Sequence, residues 1–193
     1  MAGVDPANGS PLWYTTDENG KRTTTDSYNK ADRVYCGSAA PKFTGGWMNS
    51  FSYKGFTLTA NFDFVYGNLL YNQSRELLDS DGAYADYNSM KLKSGWKRWE
   101  KEGDIATHPK AINGGNKNSN KSSSRYLEKG NYFSLRNLSL GYSIPEKLCG
   151  KLGLQRVNVS CSADNLFTLT PFSGVSPQLS DSSTEVMQVL SIR

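Results

Sequence analysis

The residues able to do chemistry are few and scattered. Asp79 and Asp81, with Gly82 directly after, resemble the opening of a calcium loop. Such a loop alternates carboxylates ahead of a glycine turn and closes on a bidentate carboxylate further on. The later ligands do not follow, so the pair reads as the polar tip of a loop. Glu100, Glu102 and Asp104 crowd a basic stretch. A glycosidase pair needs a fixed separation across a cleft, and these read as solvated. The single histidine, His108, precedes Pro109 and reads as a solvated loop residue rather than a base. Cys36, Cys149 and Cys161 are odd in number and form no Cys-x-x-Cys pair, which points away from a disulfide framework and from a zinc site. Cys161 falls at an apolar strand position and reads as a small hydrophobe. There is no Gly-x-Ser-x-Gly, P-loop or His-Glu-x-x-His. No catalytic residue, metal ligand or cofactor is therefore assigned, and an enzyme is the last-ranked reading. No substrate-binding residue is assigned either. Trp96 and Trp99 can stack on sugar rings, but packing of their loop onto a neighbouring surface is the better reading. Asn61, Asp63 and Arg136 can line a wet interior.

What must position these groups is a sheet, and one stretch announces it. From Phe56 to Tyr66 the even positions read Phe56, Leu58, Ala60, Phe62, Phe64 and Tyr66, while Thr57, Thr59, Asn61, Asp63 and Val65 lie between them. Strand side chains alternate between faces, so one face is apolar and the other mostly polar. Ahead of it, Trp47, Phe51 and Tyr53 alternate with Met48, Ser50 and Ser52. Lys54-Gly55 between the runs predicts a tight hairpin turn. A strand of this length spans roughly 36 Å at about 3.3 Å per residue. Tilted by about 40°, it covers roughly 27 Å along a membrane normal, close to the ~25 Å apolar band of an outer-membrane barrel. Tyr53, Phe56 and Tyr66 lie near its ends, where a bilayer has its interfaces. Asn61 and Asp63 suit a wet lumen and not a packed core.

Composition agrees. The 193-residue chain is 37% hydrophobic and 12% aromatic, with a net charge of +4. No run approaches the ~20 apolar residues of a transmembrane helix. The basic residues are dispersed without an aromatic-basic module, which argues against nucleic acid as a partner. Met1-Ala2-Gly3-Val4 carries neither a basic nor an apolar leader region, so an envelope location predicts that the chain is an internal or C-terminal piece of a longer protein.

In order, residues 1–41 read as a turn-rich extracellular loop, with a short strand at Leu12–Tyr14 turning back through Asp17–Gly20 toward Lys21–Thr25. Residues 42–72 form the barrel hairpin. Residues 73–124 form a long extracellular loop, in which Leu92, Trp96 and Trp99 carry helical spacing and Asn113–Ser124 reads as low-complexity and mobile. Residues 125–169 hold a second hairpin. Its alternation through Leu138, Leu140, Tyr142 and Ile144 changes phase near Arg136, as either a bulge or a strand extending beyond the bilayer would make it do. The next strand covers about Gln155–Thr168, with Val157, Val159, Cys161 and Ala163 on one face. Residues 170–193 are a loop and the start of a last strand over Glu185–Arg193. The connections alternate short (Lys54-Gly55, Glu146–Leu154) and long (Gln73–Ser124, Pro171–Ser183). Outer-membrane barrels segregate short periplasmic turns from long extracellular loops. The competing reading is a soluble secreted β-sandwich that binds glycans.

Four segments, in order, resemble the C-terminal part of the SusC/RagA family of TonB-dependent outer-membrane transporters. They are AGVDPANGSPLWYTTDENGK (Ala2–Lys21), GGWMNSFSYKGFTLTANFDFVYGNLLYN (Gly45–Asn72), RYLEKGNYFSLRNLSLGYSIP (Arg125–Pro145) and LGLQRVNVSCSADNLFTLTPFSGVSP (Leu152–Pro177). The second is similar to the family hairpin GG-x-x-N-x-x-x-YKGF-x-L. The third and fourth resemble its LSLGY strand and its NLF-x-x-T-x-(F/Y)SG-x-x-P segment. The resemblance implies an all-β, antiparallel transmembrane β-barrel fragment, about five strands of a large, roughly 22-stranded plugged barrel. It implies a nutrient importer for glycans or peptides in the outer membrane of a Gram-negative bacterium. It also implies a SusD-like surface lipoprotein as lid, and energy from a TonB–ExbB–ExbD complex acting through a part of the transporter outside this chain. The plug and TonB box have no counterpart here, and the expected last strand stops at Arg193 without a closing aromatic residue. The expectation is therefore a fragment whose two sheet edges need partners in lipid.

Overall fold

The computed structural model describes residues 1–84, 86–151 and 153–178, and the backbone of 191–192. Its strands, in chain order, are β1 (Gly3–Val4), β2 (Pro11–Thr16), β3 (Arg22–Thr25), β4 (Val34–Tyr35), β5 (Phe43–Tyr53), β6 (Phe56–Tyr66), β7 (Leu69–Tyr71), β8 (Leu127–Lys129), β9 (Tyr132–Ser143), β10 (Asn158–Leu169) and β11 (Ser191–Ile192). Two short helices, α1 (Gln73–Leu78) and α2 (Glu146–Lys151), lie in the connections.

The large sheet has the order β10-β9-β6-β5, all antiparallel. Tyr53 pairs with Phe56 across Lys54 and Gly55, which sit at φ 46° and 88°. Two positive-φ residues are what a two-residue hairpin turn requires to match the strand twist, and glycine supplies the second without a Cβ penalty. The register puts one set of residues on one face. Phe43, Trp47, Phe51 and Tyr53 of β5 oppose Tyr66, Phe62, Leu58 and Phe56 of β6. Those continue into Phe133, Leu135, Leu138, Leu140 and Tyr142 of β9, and then into Leu169, Phe167, Ala163, Cys161 and Val159 of β10. The phase change falls where the sequence places it: Asn61 pairs with Asn137 and Phe62 with Leu135, so Arg136 is the extra residue of a bulge. Opposite it, the β10 register jumps from Asp164 to Phe167.

The apolar face is bare. Trp47 and Phe51 are each 64% exposed and Val159 59%. No second sheet covers it among the described residues, so the packing partner that a β-sandwich needs is missing. Loop lengths segregate by end. Lys54-Gly55 and the connection through α2 lie at one end, where Ser143 N–H donates to the Gly55 carbonyl at 2.8 Å. The 1–42 segment, the 67–131 connection and the residues after Leu169 leave from the other. Among the described residues, β5 and β10 each have a free edge.

Most of the packed interior lies outside this sheet, which contributes Leu135. Trp13, Trp99 and Tyr126 are buried, with Trp13 meeting Tyr28 edge-on at 5.4 Å. Residues 1–41 are more than a turn-rich loop: they carry the three-stranded sheet β1-β2-β3, whose Trp13–Thr25 pairing realises the expected short hairpin. The helical spacing at Leu92, Trp96 and Trp99 does not become a helix. The Trp99 N–H donates across the loop to the His108 carbonyl (3.0 Å) and Arg98 pairs in parallel with His108, so the backbone hydrogen bonds leave the segment. Nor is Asn113–Ser124 loose: Asn116, Ser119, Asn120 and Ser123 are all buried. Of the expected last strand over Glu185–Arg193, the backbone of 191–192 pairs with β4, and the rest lies outside the described residues.

Candidate functional site

Two polar regions result. The first is the inner face of the large sheet. Asp63 accepts from Arg136 Nε at 2.8 Å and from the Tyr132 hydroxyl at 3.0 Å, and Arg136 Nη1 donates to Asn165 at 3.4 Å. Asn137 donates to Asp164 at 2.8 Å. The bulge is what turns the Arg136 side chain to this face, where it meets Asp63. Asn61 shares the face, opposite Met48 and Asn137, and its buried Oδ1 has no hydrogen-bond partner among the described residues. Of the three lumen candidates, the structure joins Asp63 to Arg136 and leaves Asn61 apart.

The second region is a buried knot of charge in the 73–128 connection. Asp79 and Asp81, expected at an exposed loop tip, are 1% and 2% exposed. The physical reason is the supply of guanidinium groups around them. Arg75, one turn earlier on α1, donates to Asp79 at 3.1 Å and to Glu128 at 2.8 Å. Arg98 reaches Asp81 at 2.5 Å. Arg125 contacts Asp79 at 3.0 Å and also pairs with Asp81. Three guanidiniums thus face three carboxylates, and a calcium ion has no carboxylate left to bind. Ser119 donates to Asp81 at 2.7 Å, and the Tyr126 hydroxyl donates to the Asp79 carbonyl at 3.1 Å. Glu128 in turn receives the Ser173 backbone N–H (2.6 Å), which ties the segment after β10 into the knot.

His108 is not solvated either. It is 3% exposed, its Nε2 is 3.1 Å from Asp79, its Nδ1 is 2.7 Å from the Thr107 hydroxyl, and its ring lies 4.9 Å from Trp96. It is a structural member of the knot, with both nitrogens committed. The Arg75 guanidinium lies over the Trp96 ring, 4.5 Å from its centroid. Trp99 donates from Nε1 to the Pro6 carbonyl at 2.9 Å, and a Cβ on Gly9 would come within 2.6 Å of its ring. Both tryptophans therefore pack the loop, as their apolar bulk suggested. Glu100 and Glu102 are exposed, but Asp104 is buried. Asp104 accepts from Lys97 Nζ at 2.7 Å and from the Glu100 and Lys101 N–H groups at 3.1 Å. Cys149 is buried and Cys161 exposed on the apolar face.

The electrostatics follow. Burial pushes the Asp79 carboxyl up, but His108, Arg125 and Arg75 outweigh it and hold it below the usual range. Glu128 is likewise raised by burial and lowered further by Ser173 and Arg75. Burial penalises the Arg125 charge, and Asp81 more than restores it. Burial pushes the Tyr126 phenol up. Lys97 and the two backbone N–H groups hold Asp104 down to about 2. Such a set fixes a shape and offers no free acid or base. Sequence reasoning missed Arg75, Arg98, Arg125 and Glu128 because their partners lie as far as 53 residues apart. The usable signal was the oddity of two aspartates beside a glycine with arginines on both sides.

A sheet with bare apolar side chains on one face, polar ones on the other and long connections at one end is a wall of a transmembrane β-barrel. Its relatives agree. No family model matches. The chain is 32% identical over 177 residues to TonB-dependent receptor P3 of Formosa agariphila, covering 90% of this chain and 16% of that protein. It is 32% identical over 151 residues to TonB-dependent receptor P39 of the same organism, covering 77% and 14%. Among solved structures, the RagAB peptide transporter matches at a TM-score of 0.74 and 28% identity, over 92% of this chain and 19% of that one. The RagAB peptide importer in its open-open state matches at 0.71 and 27%. The chain thus spans less than a fifth of the length of these relatives, which are named as receptors and transporters. It belongs to the SusC/RagA-like TonB-dependent transporters, as a fragment of the barrel.

Proposed function

We propose that this chain is wall and outer loops of an outer-membrane nutrient importer of SusC/RagA type. The whole transporter takes up glycans or peptides with a SusD-like lipoprotein, and a TonB–ExbB–ExbD complex drives it through parts of the protein outside this chain. The bare, four-strand apolar face carries the reading, because lipid is the solvent that such a face requires. In this placement Lys54-Gly55 and α2 mark the periplasmic rim, and the knotted 73–124 segment stands outside the cell. The inner face, with Asp63 and Arg136, lines the lumen. The chain holds no catalytic role in this account; its chemistry is recognition and passage.

The test is fractionation of the source cells, probed with an antibody raised against residues 73–124. The expected result is an outer-membrane band far heavier than 21.3 kDa, whose 73–124 epitope is lost when intact cells meet a protease. A band near 21.3 kDa in a soluble fraction would sink the proposal.

A further inference from the structure

The knot has a neighbour with a different character. Against its outer side lies an open pocket of about 360 Å³, between the end of α1 and the turn that follows. Leu77, Leu78, Tyr84, Tyr87 and Met90 supply its apolar lining, Ser80, Asn88 and Ser89 add polar groups, and Arg98 and Asp81 bring the knot to its wall. The frame is fixed: the Met90 N–H donates to the Leu78 carbonyl at 2.9 Å, and the Ile112 N–H to the Asp81 carbonyl at 3.0 Å. Tyr84 and Tyr87 stand edge to face, with centroids 5.7 Å apart and planes at 72°, so they form a corner and not a flat platform. Tyr87 is 59% exposed, more than a ring used only for packing needs to be.

The chemistry of the lining selects the ligand. The charged groups at the inner end are already spent: Arg98 Nη1 donates to Asp81 (2.5 Å) and to the Pro109 carbonyl (3.1 Å), and Asp81 also receives Arg125 and Ser119. The pocket therefore offers no free charge to a carboxylate or an amine. A pyranose stacks on one flat ring face, which the Tyr84–Tyr87 corner does not present, while Ser80, Asn88 and Ser89 supply the polar groups that the amides flanking a peptide side chain need. A neutral, branched or aromatic side chain fits a corner of two rings, two leucines and a methionine, with edge-to-face contact to the rings. The volume, at the small end of ligand sites, suits one or two residues rather than a long chain.

We propose that this pocket, on the outer loops of the importer, is a subsite for a single apolar or aromatic side chain of an oligopeptide substrate. The inference rests on the importer reading above and narrows its substrate to peptides. Burial of such a side chain contributes about 1.5–3 kcal/mol, which is roughly a tenfold to hundredfold gain in affinity.

The experiment uses the full-length transporter, with any lipoprotein that copurifies, and titrates it calorimetrically with three probes: an all-glycine pentapeptide, the same peptide with a central phenylalanine, and a linear hexasaccharide. The expected result is at least tenfold tighter binding of the phenylalanine peptide than of the all-glycine one. A Tyr84→Ala/Tyr87→Ala variant should lose that gain, and Tyr87→Phe should keep it. Equal affinities for the two peptides, persistence of the gain in the double-alanine variant, or binding of the hexasaccharide in its place would overturn the subsite. Peptide and glycan uptake by cells carrying the wild-type and variant proteins separates the two levels. Wild-type cells that take up neither defeat the importer reading, whereas uptake that the double variant leaves unchanged for phenylalanine peptides defeats the subsite alone.

Discussion

Between residues 43 and 66 the protein keeps its largest apolar side chains outside, and between 73 and 128 it keeps charged ones inside. Trp47 and Phe51 of β5 stand bare, while Asp79 and Asp81 are enclosed. Both arrangements invert the usual rule for a protein in water, and each inversion has its own cause. The sheet is turned outward because its solvent is hydrocarbon, so burial is completed by lipid. The loop is turned inward because its arginines and carboxylates satisfy one another around the buried Trp99 and Tyr126. It is held by more than a hydrophobic core, and paired charge joined by hydrogen bonds does the rest. The two regions should therefore fail independently, under different insults.

The largest effect is expected in the knot. Asp81→Ala takes one of the two carboxylates shared by Arg98 and Arg125, which is 4% exposed, and leaves Asp79 alone between them. Breaking a buried pair by removing one member costs about 3–5 kcal/mol, since the surviving charge is stranded. Hydrogen exchange on the full-length protein in lipid should show lost protection around 79–82 and 119–128, with the amides of β6 and β9 unchanged. Loss of protection in both would show that sheet and loop are one cooperative unit, and the contrast drawn above would fall.

The reciprocal break is on the sheet. Leu138 and Ser139 are sequence neighbours on opposite faces of β9, paired with Ala60 and Thr59 near mid-strand. An arginine on the lipid face near the bilayer midplane costs about 2–4 kcal/mol. Leu138→Arg should therefore lower the free energy of folding into lipid vesicles, read from a urea titration, by that amount, and Ser139→Arg, facing the lumen, should lower it far less. Equal shifts for the two variants would mean that the faces are not solvated differently.

The same contrast explains what was legible in the sequence. A period of two is a local property, so the strands β5, β6 and β9, their faces and even the phase break at Arg136 can be read from residues a few positions apart, while the β6–β9 register makes that break a bulge. The turn at Lys54-Gly55 is local too. Asp79 gives no such signal: its partners are at 75, 98, 108 and 125, and only the closed loop brings them together. Polarity at Asn113–Ser124 suggested mobility because polar residues usually face water, yet Ser119 and Ser123 are wholly buried. Their role is to satisfy groups that the chain itself encloses. Trp96 and Trp99 mislead in the opposite way. Their spacing is helical, but the Lys97 N–H and carbonyl both bond to the Thr107 hydroxyl, at 2.9 and 3.1 Å, and a hydrogen bond made across the loop is not available to a helix. The pocket around Tyr84 and Tyr87 was invisible because its other wall is non-local: the Met90 N–H donates to the Leu78 carbonyl twelve positions back.

The smallest expected effect sharpens the comparison through pH. Asp104 is held down to about 2 by the Lys97 ammonium and the Glu100 and Lys101 N–H groups, against an ordinary value of 3.8. A carboxylate whose value falls on folding adds stability that is complete above its unfolded value and is lost as pH drops through the folded one. The Asp104 contribution is therefore whole above 3.8 and gone below about 2. Asp79 and Glu128 are lowered as well, so acid loosens the loop at more than one point. The Glu100 and Lys101 amides should keep their exchange protection from neutral pH down to about 4 and lose it toward about 2. Asp104→Asn, which cannot ionise, should show weaker protection with no such step. The inter-strand amides of β6 and β9, bonded to carbonyls that do not titrate, should cross the same range without a step. A step shared by loop and sheet would tie the strands to the loop carboxylates and show that the lipid-facing wall relies on the charged knot for its own stability.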